Sequence, residues 1–511
     1  MKFSHVDKIE KRKKSDLLVL PYWEENHQVK SAFLEGSKWP PILDKVLGMG
    51  DFKGKEGETL FLYVEGEAEK RFCLLGLGSK ASVSIESLRR SYGALTKNCL
   101  SKRLKNLNLI VPSLEGHHEN EWIKGIAEGL LLPNYLFNRH KQRESEEPEA
   151  SLLESITWIT SNKKVLEIVK EVGTVCEAVC YTRDLINENA DIVTPQHLAE
   201  CAKNMANEHM AIKTVVFDKK KIEKEGMGLL LAVNRGSHLD PAFIIMEYQG
   251  NPNLKDKTVL IGKGVTYDTG GLNLKPTGSM ETMKCDMSGA AVCLGTILAV
   301  SHLKMKVNLT VVIPATENGI DAKSFKPGDV YRSYSGKTVE MMNSDAEGRL
   351  ILADALTYAV KNLHPTRLID IATLTGAIEV ALGSEAAGLM STDDELADAI
   401  IQAGQITSER VWRMPLYDEY KERLKSEIAD LKSWNGRSAG ANVAAAFLRQ
   451  FVTDSTPWAH LDIAGTAYVN EAKKYLPKFA TGYGVRLMIE FLRTLCDSQK
   501  NNRGKVKEKI K

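Results

Sequence analysis

The sequence predicts two α/β domains: a smaller N-terminal domain and a larger C-terminal domain whose central sheet is covered by helices. Three observations lead to this fold class. The chain has 511 residues, more than one ordinary hydrophobic core supports. Short apolar runs alternate with amphipathic stretches, as they do in α/β proteins. In the C-terminal part the apolar runs are continuous, which is typical of strands buried on both faces.

The N-terminal domain is predicted to occupy residues 1–170. Four apolar runs are its predicted strands, namely LLVLP from Leu17, TLFLYV from Thr59, RFCLLGLGS from Arg71 and LNLIVPS from Leu107. Two amphipathic stretches are its predicted helices, ESLRRSYGALTKNCLS and the stretch from Trp122 to Leu132. A further helix from Lys163 to Leu185 is expected to join this domain to the next.

The C-terminal domain is predicted to occupy residues 171–497, followed by a basic, disordered tail over residues 498–511. Its predicted strands are KTVLIG from Lys257, LTVVIPA from Leu309, RLIDIAT from Arg367 and WAHLDIAG from Trp458. Its predicted helices begin at Gly289, Gly348, Asn442 and Gly484. Ligands of such sheets gather beyond the carboxyl ends of the strands. The polar motifs of this chain follow a strand or precede a helix.

The composition argues against a charged or membrane-bound partner. The formal net charge is +2, and the tail alone holds six Lys or Arg and one Glu. No apolar run approaches the ~20 residues of a membrane span, and the apolar stretch Leu17–Leu20 is too short for a signal peptide. The eight cysteines show no framework spacing and are expected to be reduced. We therefore expect a cytoplasmic protein without a membrane partner.

Two segments place polar side chains beside an apolar strand or helix. In VLIGKGVTYDTGGLNLKP, Lys263 and Asp268 follow a predicted strand, and Lys275 comes seven residues after Asp268. In METMKCDMSGAA, Asp286 lies just before an apolar helix. Taken alone, Asp268 would be a turn residue, the lysines would be surface residues, and Asp286 would cap its helix.

A third segment, NSDAEGRL, spaces three charged residues at intervals of two. These are Asp345, Glu347 and Arg349, and they share one face if the segment is extended. The following helix is expected to begin near Gly348. Taken alone, Asp345 would be a turn residue and Glu347 a first-turn helix acid.

The interpretation changes when these carboxylates converge at the ends of apolar strands. Four like charges repel strongly unless cations lie among them. Two divalent ions would balance Asp268, Asp286, Asp345 and Glu347. Oxygen-rich ligand sets suit Mn²⁺ or Mg²⁺, and also Zn²⁺ in catalytic sites. The sequence contains no HExxH motif, which argues against a histidine-based zinc protease.

Seven segments together resemble the leucyl aminopeptidase (cytosol aminopeptidase) family of dinuclear metallo-exopeptidases. In order, they are GKGVTYDTGGLNLKP, DMSGAA, NSDAEGRL, DIATLTGA, RVWRMPLYDEY, WAHLDIAGTA and TGYGVRL. The resemblance is dense from Arg183 to Leu495, whereas the N-terminal third matches only in its α/β pattern. It implies that the C-terminal domain is the catalytic domain of a metal-dependent aminopeptidase, which removes the N-terminal residue of peptides, preferably Leu or another apolar residue.

The resemblance also implies which residues hold two metal ions, Mn²⁺ or Zn²⁺. One ion would be held by Asp268, Asp345 and Glu347, with the backbone carbonyl of Asp345 as a further ligand. The other would be held by Lys263, Asp268, Asp286 and Glu347. A lysine binds a metal only as a neutral amine, so the pKa of Lys263 must fall well below ~10.4 near the cation.

Further roles follow from the same resemblance. Lys275 would stay protonated and polarise the scissile carbonyl, while Arg349 would hold a bicarbonate that shuttles a proton from a water activated by both metals. The pocket for the first residue would be lined by Met283, Thr373, Gly376 and Ala464. The family resemblance further implies a homohexamer.

Two other functions remain open at this stage. Some bacterial members of the family also bind DNA, so a regulatory DNA-binding role could accompany or replace peptidase activity. Nucleic acid is therefore not excluded as a partner. Two-metal phosphoester hydrolysis could also use four carboxylates, but it would not need a metal-ligating lysine.

Overall fold

The computed structural model describes residues 1–33, 39–65, 67–113, 119–142 and 151–496. The chain divides into two compact units. Unit 1 comprises Met1–Glu177 and Glu471–Lys478; unit 2 comprises Ala178–Asn470 and the chain from Phe479 onward. The predicted tail, residues 498–511, lies outside the described residues.

Unit 1 contains a seven-stranded sheet, most of whose pairs are parallel. Its strands are β1 (Lys2–Val6), β2 (Leu17–Glu25), β3 (Gln28–Ser31), β4 (Thr59–Tyr63), β5 (Arg71–Gly76), β6 (Asn106–Ile110) and β7 (Ser155–Ile159). They lie in the order β1-β7-β6-β2-β5-β4, with β3 antiparallel beside β2 and β4 antiparallel to β5. All four predicted strands are present. The apolar runs of β2, β5 and β6 are buried at the centre of the sheet, and β4 at its edge is only partly buried.

Unit 1 contains the helices α1 (Pro41–Met49), α2 (Ile85–Ser101) and α3 (Glu119–Leu131). The amphipathic stretches of the sequence predict α2 and α3, whereas α1 was not predicted. A capping box begins α2: the Ser87 amide donates to Ser84 Oγ at 3.0 Å, and the Ser84 amide donates to Ser87 Oγ at 2.8 Å. The long helix α4 (Val165–Asn187) contains the point where the chain passes from unit 1 to unit 2.

Unit 2 contains a nine-stranded mixed sheet, whose middle strands are parallel. The sheet is formed by β8 (Ile212–Phe217), β9 (Ala242–Gln249), β10 (Thr258–Gly262), β11 (Gly264–Asp268), β12 (Asn308–Asn318), β15 (Arg367–Ala372), β16 (Ala387–Ser391), β17 (Val411–Arg413) and β19 (Trp458–Asp462). The order is β17-β16-β19-β15-β10-β12-β9-β8, with β11 beside β12. Strands β19, β15, β10 and β12 run parallel, whereas β9 and β16 run antiparallel to their neighbours β12 and β19. Two small sheets are formed by β13 (Val330–Arg332), β14 (Thr338–Glu340) and β18 (Leu431–Lys432), and by β20 (Tyr468–Val469) and β21 (Phe479–Ala480).

Helices lie on both faces of this sheet, as predicted. They are α5 (Pro195–Glu208), α6 (Lys219–Glu225), α7 (Gly228–Asn234), α8 (Ser288–His302), α9 (Glu347–Tyr358), α10 (Gly376–Leu382), α11 (Asp394–Thr407), α12 (Asp418–Glu422), α13 (Gly440–Arg449), α14 (Ala464–Ala467) and α15 (residues 485–496). Val259 and Ile261 of β10 share a core cluster with Leu350 of α9. Leu260 points to the opposite face because side chains alternate along a strand, and α8 also contacts β10.

Helix α8 packs unusually close to the sheet because its first turn contains small residues. A Cβ on Gly289 would lie 2.0 Å from the Ile371 carbonyl oxygen and 2.8 Å from the Lys263 amide nitrogen. By length and composition, Met283–His302 could cross a membrane, but 83% of its apolar window is buried inside the protein. A buried core helix has the same composition.

Gly289→Ala tests this close packing. The added methyl group has no room beside the backbone of β15, so we expect a loss of about 1–3 kcal/mol of unfolding free energy. The measurement is the thermal or denaturant unfolding midpoint. Gly48→Ala is the matched control, because its Cβ meets no atom within 4 Å. Equal midpoints for Gly289→Ala and the unmodified chain would contradict the packing argument.

Candidate active site

The charged residues singled out in the sequence lie at the ends of strands and at the beginnings of helices. Lys263 follows β10, and Asp268 is the last residue of β11. The pairing of β11 with β12 shifts in register between Val265 and Asp268, an irregularity that changes the direction of the strand just before the carboxylate. Asp286 lies in the 3-10 turn Met283–Met287 that leads into α8.

Two local alternatives that the sequence left open do not hold. The segment around Asp345 is not extended but forms a 3-10 turn over Ser344–Ala346, and α9 begins at Glu347. Positions two apart on a helix do not face each other, so Glu347 and Arg349 point to different neighbours. Asp286 does not cap α8, whose N-cap residue is Met287 and has no side-chain cap bond. The expected start of α9 near Gly348 is confirmed.

Four carboxylates, those of Asp268, Asp286, Asp345 and Glu347, converge around two lysines and are called the carboxylate cluster below. Lys263 Nζ lies 2.8 Å from Asp286 Oδ1 and 2.8 Å from Glu347 Oε1. Lys275 Nζ lies 2.7 Å from Asp268 Oδ2 and 2.6 Å from Asp345 Oδ1. Carboxylate oxygens of Asp268, Asp286 and Glu347 approach within 4.8 Å of one another. The structure therefore brings together all the charged residues predicted to hold metals.

The two lysines do not neutralise all of the negative charge of the carboxylate cluster when its four carboxylates are ionised. Its four carboxylates contact two ammonium groups, which leaves two negative charges uncompensated. Asp268, Asp286 and Glu347 are all buried. Among the described residues, Asp286 Oδ2 and Glu347 Oε2 have no hydrogen-bond partner. Buried carboxylate oxygens without partners are costly. A divalent cation is a partner that fits these donor atoms.

The pKa values of the carboxylates reflect this crowding. Burial, reinforced by the Glu347 carboxylate, raises the pKa of Asp268 to about 6. Burial likewise raises the pKa of Asp286 well above its ordinary range, although Lys263 opposes the shift. Burial opposes the ionisation of Glu347 too, but Lys263 and Lys275 override it and lower the pKa of Glu347.

Both lysines are held in their charged form by the same carboxylates. Burial favours the neutral amine of Lys263, but Asp286 and Glu347 raise its pKa above the ordinary value. Burial also opposes charge on Lys275, and Asp268 and Glu347 raise its pKa. A divalent ion bound beside Lys263 would act in the opposite direction by electrostatic repulsion.

The surrounding chain orients the carboxylate cluster. Asn318 Nδ2 donates to Asp268 Oδ1 at 2.7 Å and to the Ser344 carbonyl oxygen at 3.0 Å. Sequence reasoning missed Asn318, although it is a polar residue at the end of an apolar strand, the signal that identified Asp268. A Cβ on Gly348 would lie 2.7 Å from Lys263 Nζ, so glycine leaves the space that the lysine side chain occupies.

A cavity of about 710 Å³ opens beside Asp345 and Arg349. Its volume lies within the range of ligand pockets. Arg349 is buried, and its Nη1 donates to the Ser433 carbonyl oxygen at 2.8 Å. Among the described residues its Nε has no hydrogen-bond partner. Burial lowers the pKa of Arg349 to about 10, which leaves the guanidinium charged at neutral pH.

Of the four residues predicted to line the pocket for the first residue of the peptide, Gly376 is the one that lines this cavity. Thr373 Oγ1 donates to Asp286 Oδ1 at 2.8 Å, so Thr373 contacts the carboxylate cluster directly. Met283 begins the 3-10 turn that carries Asp286. The Ala464 amide donates at 3.3 Å to Asp462, whose carboxylate also accepts from the Leu374 amide at 3.0 Å.

A carboxylate cluster suited to divalent cations, one of whose members lines a cavity large enough for a small substrate, is typical of metal-dependent hydrolases. Residues 180–489 match the catalytic domain of the cytosol aminopeptidase family, and residues 19–144 match its N-terminal domain. The chain belongs to this family and is a metal-dependent aminopeptidase. The resemblance seen in the sequence is thereby confirmed, together with the two-domain α/β fold.

Individual relatives agree with this assignment along the whole chain. A "Probable cytosol aminopeptidase" of Protochlamydia amoebophila (strain UWE25) is 65% identical over 496 residues, covering 97% of this chain and 99% of that protein. One of Chlamydia felis (strain Fe/C-56) is 44% identical, covering 94% and 97%. The solved structure of the bottromycin maturation enzyme BotP has a TM-score of 0.83 at 29% identity, covering 94% of this chain and 100% of that one. A second structure shows BotP in complex with Mn, with the same TM-score.

Proposed function

We propose that this aminopeptidase removes Leu and other apolar residues from the amino ends of peptides, using two divalent ions bound at the carboxylate cluster. One observation carries the proposal: the carboxylate cluster, three of whose four carboxylates are buried, reaches a cavity of about 710 Å³ through Asp345. When bound, such ions act as Lewis acids and lower the pKa of a coordinated water. A peptide in the cavity would place its first peptide bond beside that water.

The ligand set assigned to the two ions uses the donor atoms of the carboxylate cluster. Asp268 and Glu347 would contribute to both ions, Asp345 to one, and Lys263 with Asp286 to the other. The partnerless oxygens of Asp286 and Glu347 support this assignment. Mn²⁺ or Zn²⁺ suits these ligands. The complex of the related BotP with Mn supports Mn²⁺ in particular.

Lys263 and Lys275 are proposed to have opposite roles. The side chain of Lys263 is 3% exposed and contacts Asp286, Glu347 and the Thr373 carbonyl oxygen, so it lies within the ligand set. Two divalent ions would neutralise the four carboxylates and favour its neutral amine. The side chain of Lys275 is 15% exposed. This ammonium would remain charged and stabilise the negative charge that develops on the scissile carbonyl oxygen.

Arg349 is proposed to hold a bicarbonate ion that relays a proton. Its guanidinium is buried and charged, lines the cavity, and has an Nε without a partner among the described residues. A planar guanidinium matches a planar carboxylate-like anion. The first-residue pocket would be lined by Met283, Thr373, Gly376 and Ala464, whose mostly small or apolar side chains suit Leu.

The assembly and location are further parts of the proposal. We infer a homohexamer from the family resemblance, and exposed Trp412 and Tyr417 supply apolar surface of the kind that interfaces cover. No disulfide joins the cysteines of the described residues, which supports the proposed cytoplasmic location. The absence of a membrane partner is inferred from the composition alone. A regulatory role on DNA is the alternative, and the predicted basic tail that motivates it lies outside the described residues.

Removal of metal tests the function directly. We expect chelation to abolish release of the chromophore from a leucyl anilide and Mn²⁺, Zn²⁺ or Co²⁺ to restore it, because the carboxylate cluster has no other source of divalent charge. An aryl phosphate serves as the control substrate and should remain intact throughout. Full peptidase activity in metal-free protein, or turnover of the phosphate instead, would contradict the proposal.

Replacement of each lysine by Met separates their roles. Lys275→Met should keep both ions but lose about 10²–10³ in turnover, or ~2.7–4 kcal/mol, because it removes a charge aimed at the transition state. Lys263→Met should bind one ion more weakly and regain part of its rate at high metal concentration. Metal stoichiometry and turnover are measured side by side. Loss of an ion in Lys275→Met with full occupancy in Lys263→Met would reverse the assignment.

Light scattering tests the proposed assembly. A homohexamer should give about six times the chain mass of 56.7 kDa. The catalytic assay is run on the same sample, so that the mass belongs to active protein. A fully active monomer would show that the family's assembly does not extend to this chain.

A further inference from the structure

One wall of the cavity carries a cation that the proposed mechanism does not use. The loop of residues 433–439 connects β18 to α13, and Trp434, Gly436, Arg437 and Ala439 line the cavity together with Asp345. Arg437 is exposed. Among the described residues its side chain forms no hydrogen bond and no ion pair. Arg437 therefore lines the cavity and has no counterion among the described residues.

The loop that presents Arg437 is held on both sides of it. Arg423 Nη2 donates to the Asn435 carbonyl oxygen at 2.9 Å, and Arg423 Nη1 donates to the Ser438 carbonyl oxygen at 2.8 Å. Asn435 Nδ2 returns a bond to the Arg423 carbonyl oxygen at 2.8 Å. Ala439 has a φ of 51°, a conformation that residues other than glycine rarely adopt. These constraints fix the backbone that carries Arg437.

The other charged residues named on the cavity wall, Asp345 and Arg349, have a protein contact or a proposed ligand: Arg349 is assigned to the bicarbonate. Asp345 pairs with Lys275 at 2.6 Å, and Arg349 donates to the Ser433 carbonyl oxygen at 2.8 Å. A peptide whose amino end lies at the carboxylate cluster has one obligatory negative charge, its terminal carboxylate. In a peptide of two or three residues, that carboxylate remains inside a cavity of about 710 Å³. Within the part of the chain that the structure describes, Arg437 is a cation on the wall of this cavity with neither a protein partner nor a role in the proposed mechanism.

We propose that Arg437 binds the terminal carboxylate of short peptides and makes this enzyme selective for dipeptides and tripeptides with a free carboxyl end. The inference rests on the proposed function, because it assumes that the amino end lies at the metal ions. A guanidinium offers two parallel N–H donors that match both carboxylate oxygens. As the peptide lengthens, its carboxylate passes beyond Arg437, so the selectivity declines with length.

The experiment compares each peptide acid with its terminal amide in the metal-loaded full chain. We measure kcat/KM for leucyl dipeptides, tripeptides and hexapeptides in both forms, and take the acid-to-amide ratio for each length. The unmodified chain should favour the dipeptide acid by about tenfold, the range of a charged hydrogen bond partly exposed to solvent. Arg437→Gln should reduce this ratio to near one, whereas Arg437→Lys should keep part of it. The ratio should also fall with added salt.

Arg410→Gln is the matched control, because Arg410 is also exposed but does not line the cavity. Its acid-to-amide ratio should equal that of the unmodified chain. An unchanged ratio in Arg437→Gln, or a ratio that is independent of peptide length, would overturn the inference. Hydrolysis of a leucyl anilide, which has no carboxylate, is measured on the same samples. If the unmodified chain hydrolyses the anilide but does not prefer peptide acids to peptide amides, only the role of Arg437 is rejected. If the unmodified chain neither hydrolyses the anilide nor prefers peptide acids, the proposed function is rejected as well.

Discussion

Four carboxylates occupy one small volume beyond the carboxyl ends of the inner strands of the unit 2 sheet, and their mutual repulsion is the constraint on which the site depends. Lys263 and Lys275 each bridge two of them but neutralise only half of the charge. Burial makes the remaining charge more costly, because the low dielectric strengthens repulsion and removes water as a partner. Divalent cations would resolve this conflict, and metal binding would then be coupled to the integrity of the site.

The packing around the sheet follows from the need to bring these groups together. Gly289 lets α8 approach β15 and Lys263 closely, and Gly348 leaves space for the Lys263 side chain at the beginning of α9. The absence of a side chain at these two positions allows helices from different parts of the chain to meet one strand end. Asn318 then orients Asp268 from β12, which adds a bond that requires no further charge.

The carboxylate cluster has an excess of negative charge, whereas the loop at residues 433–439 on the cavity wall carries a positive charge. In the carboxylate cluster every charged group contacts a group of opposite sign, and the excess is negative. On the loop at residues 433–439 a cation faces solvent, and its backbone is fixed by Arg423. The excess charge of the interior is therefore suited to cations, and the charge of Arg437 on the wall is suited to an anionic group. A short peptide has opposite charges at its two ends, so it can satisfy an electrostatic pattern of this kind.

The sequence by itself determined the fold class, the main strands and helices, the family and the charged residues of the carboxylate cluster. Apolar periodicity and local order are encoded along the chain, and residues 263–286 and 343–349 lie in recognisable segments. Only the tertiary structure decided how those residues meet. It showed a helical turn instead of an extended segment at Asp345, and it identified Asn318 and Arg437. These features depend on contacts between distant segments, and a local pattern contains no information about distances across the fold.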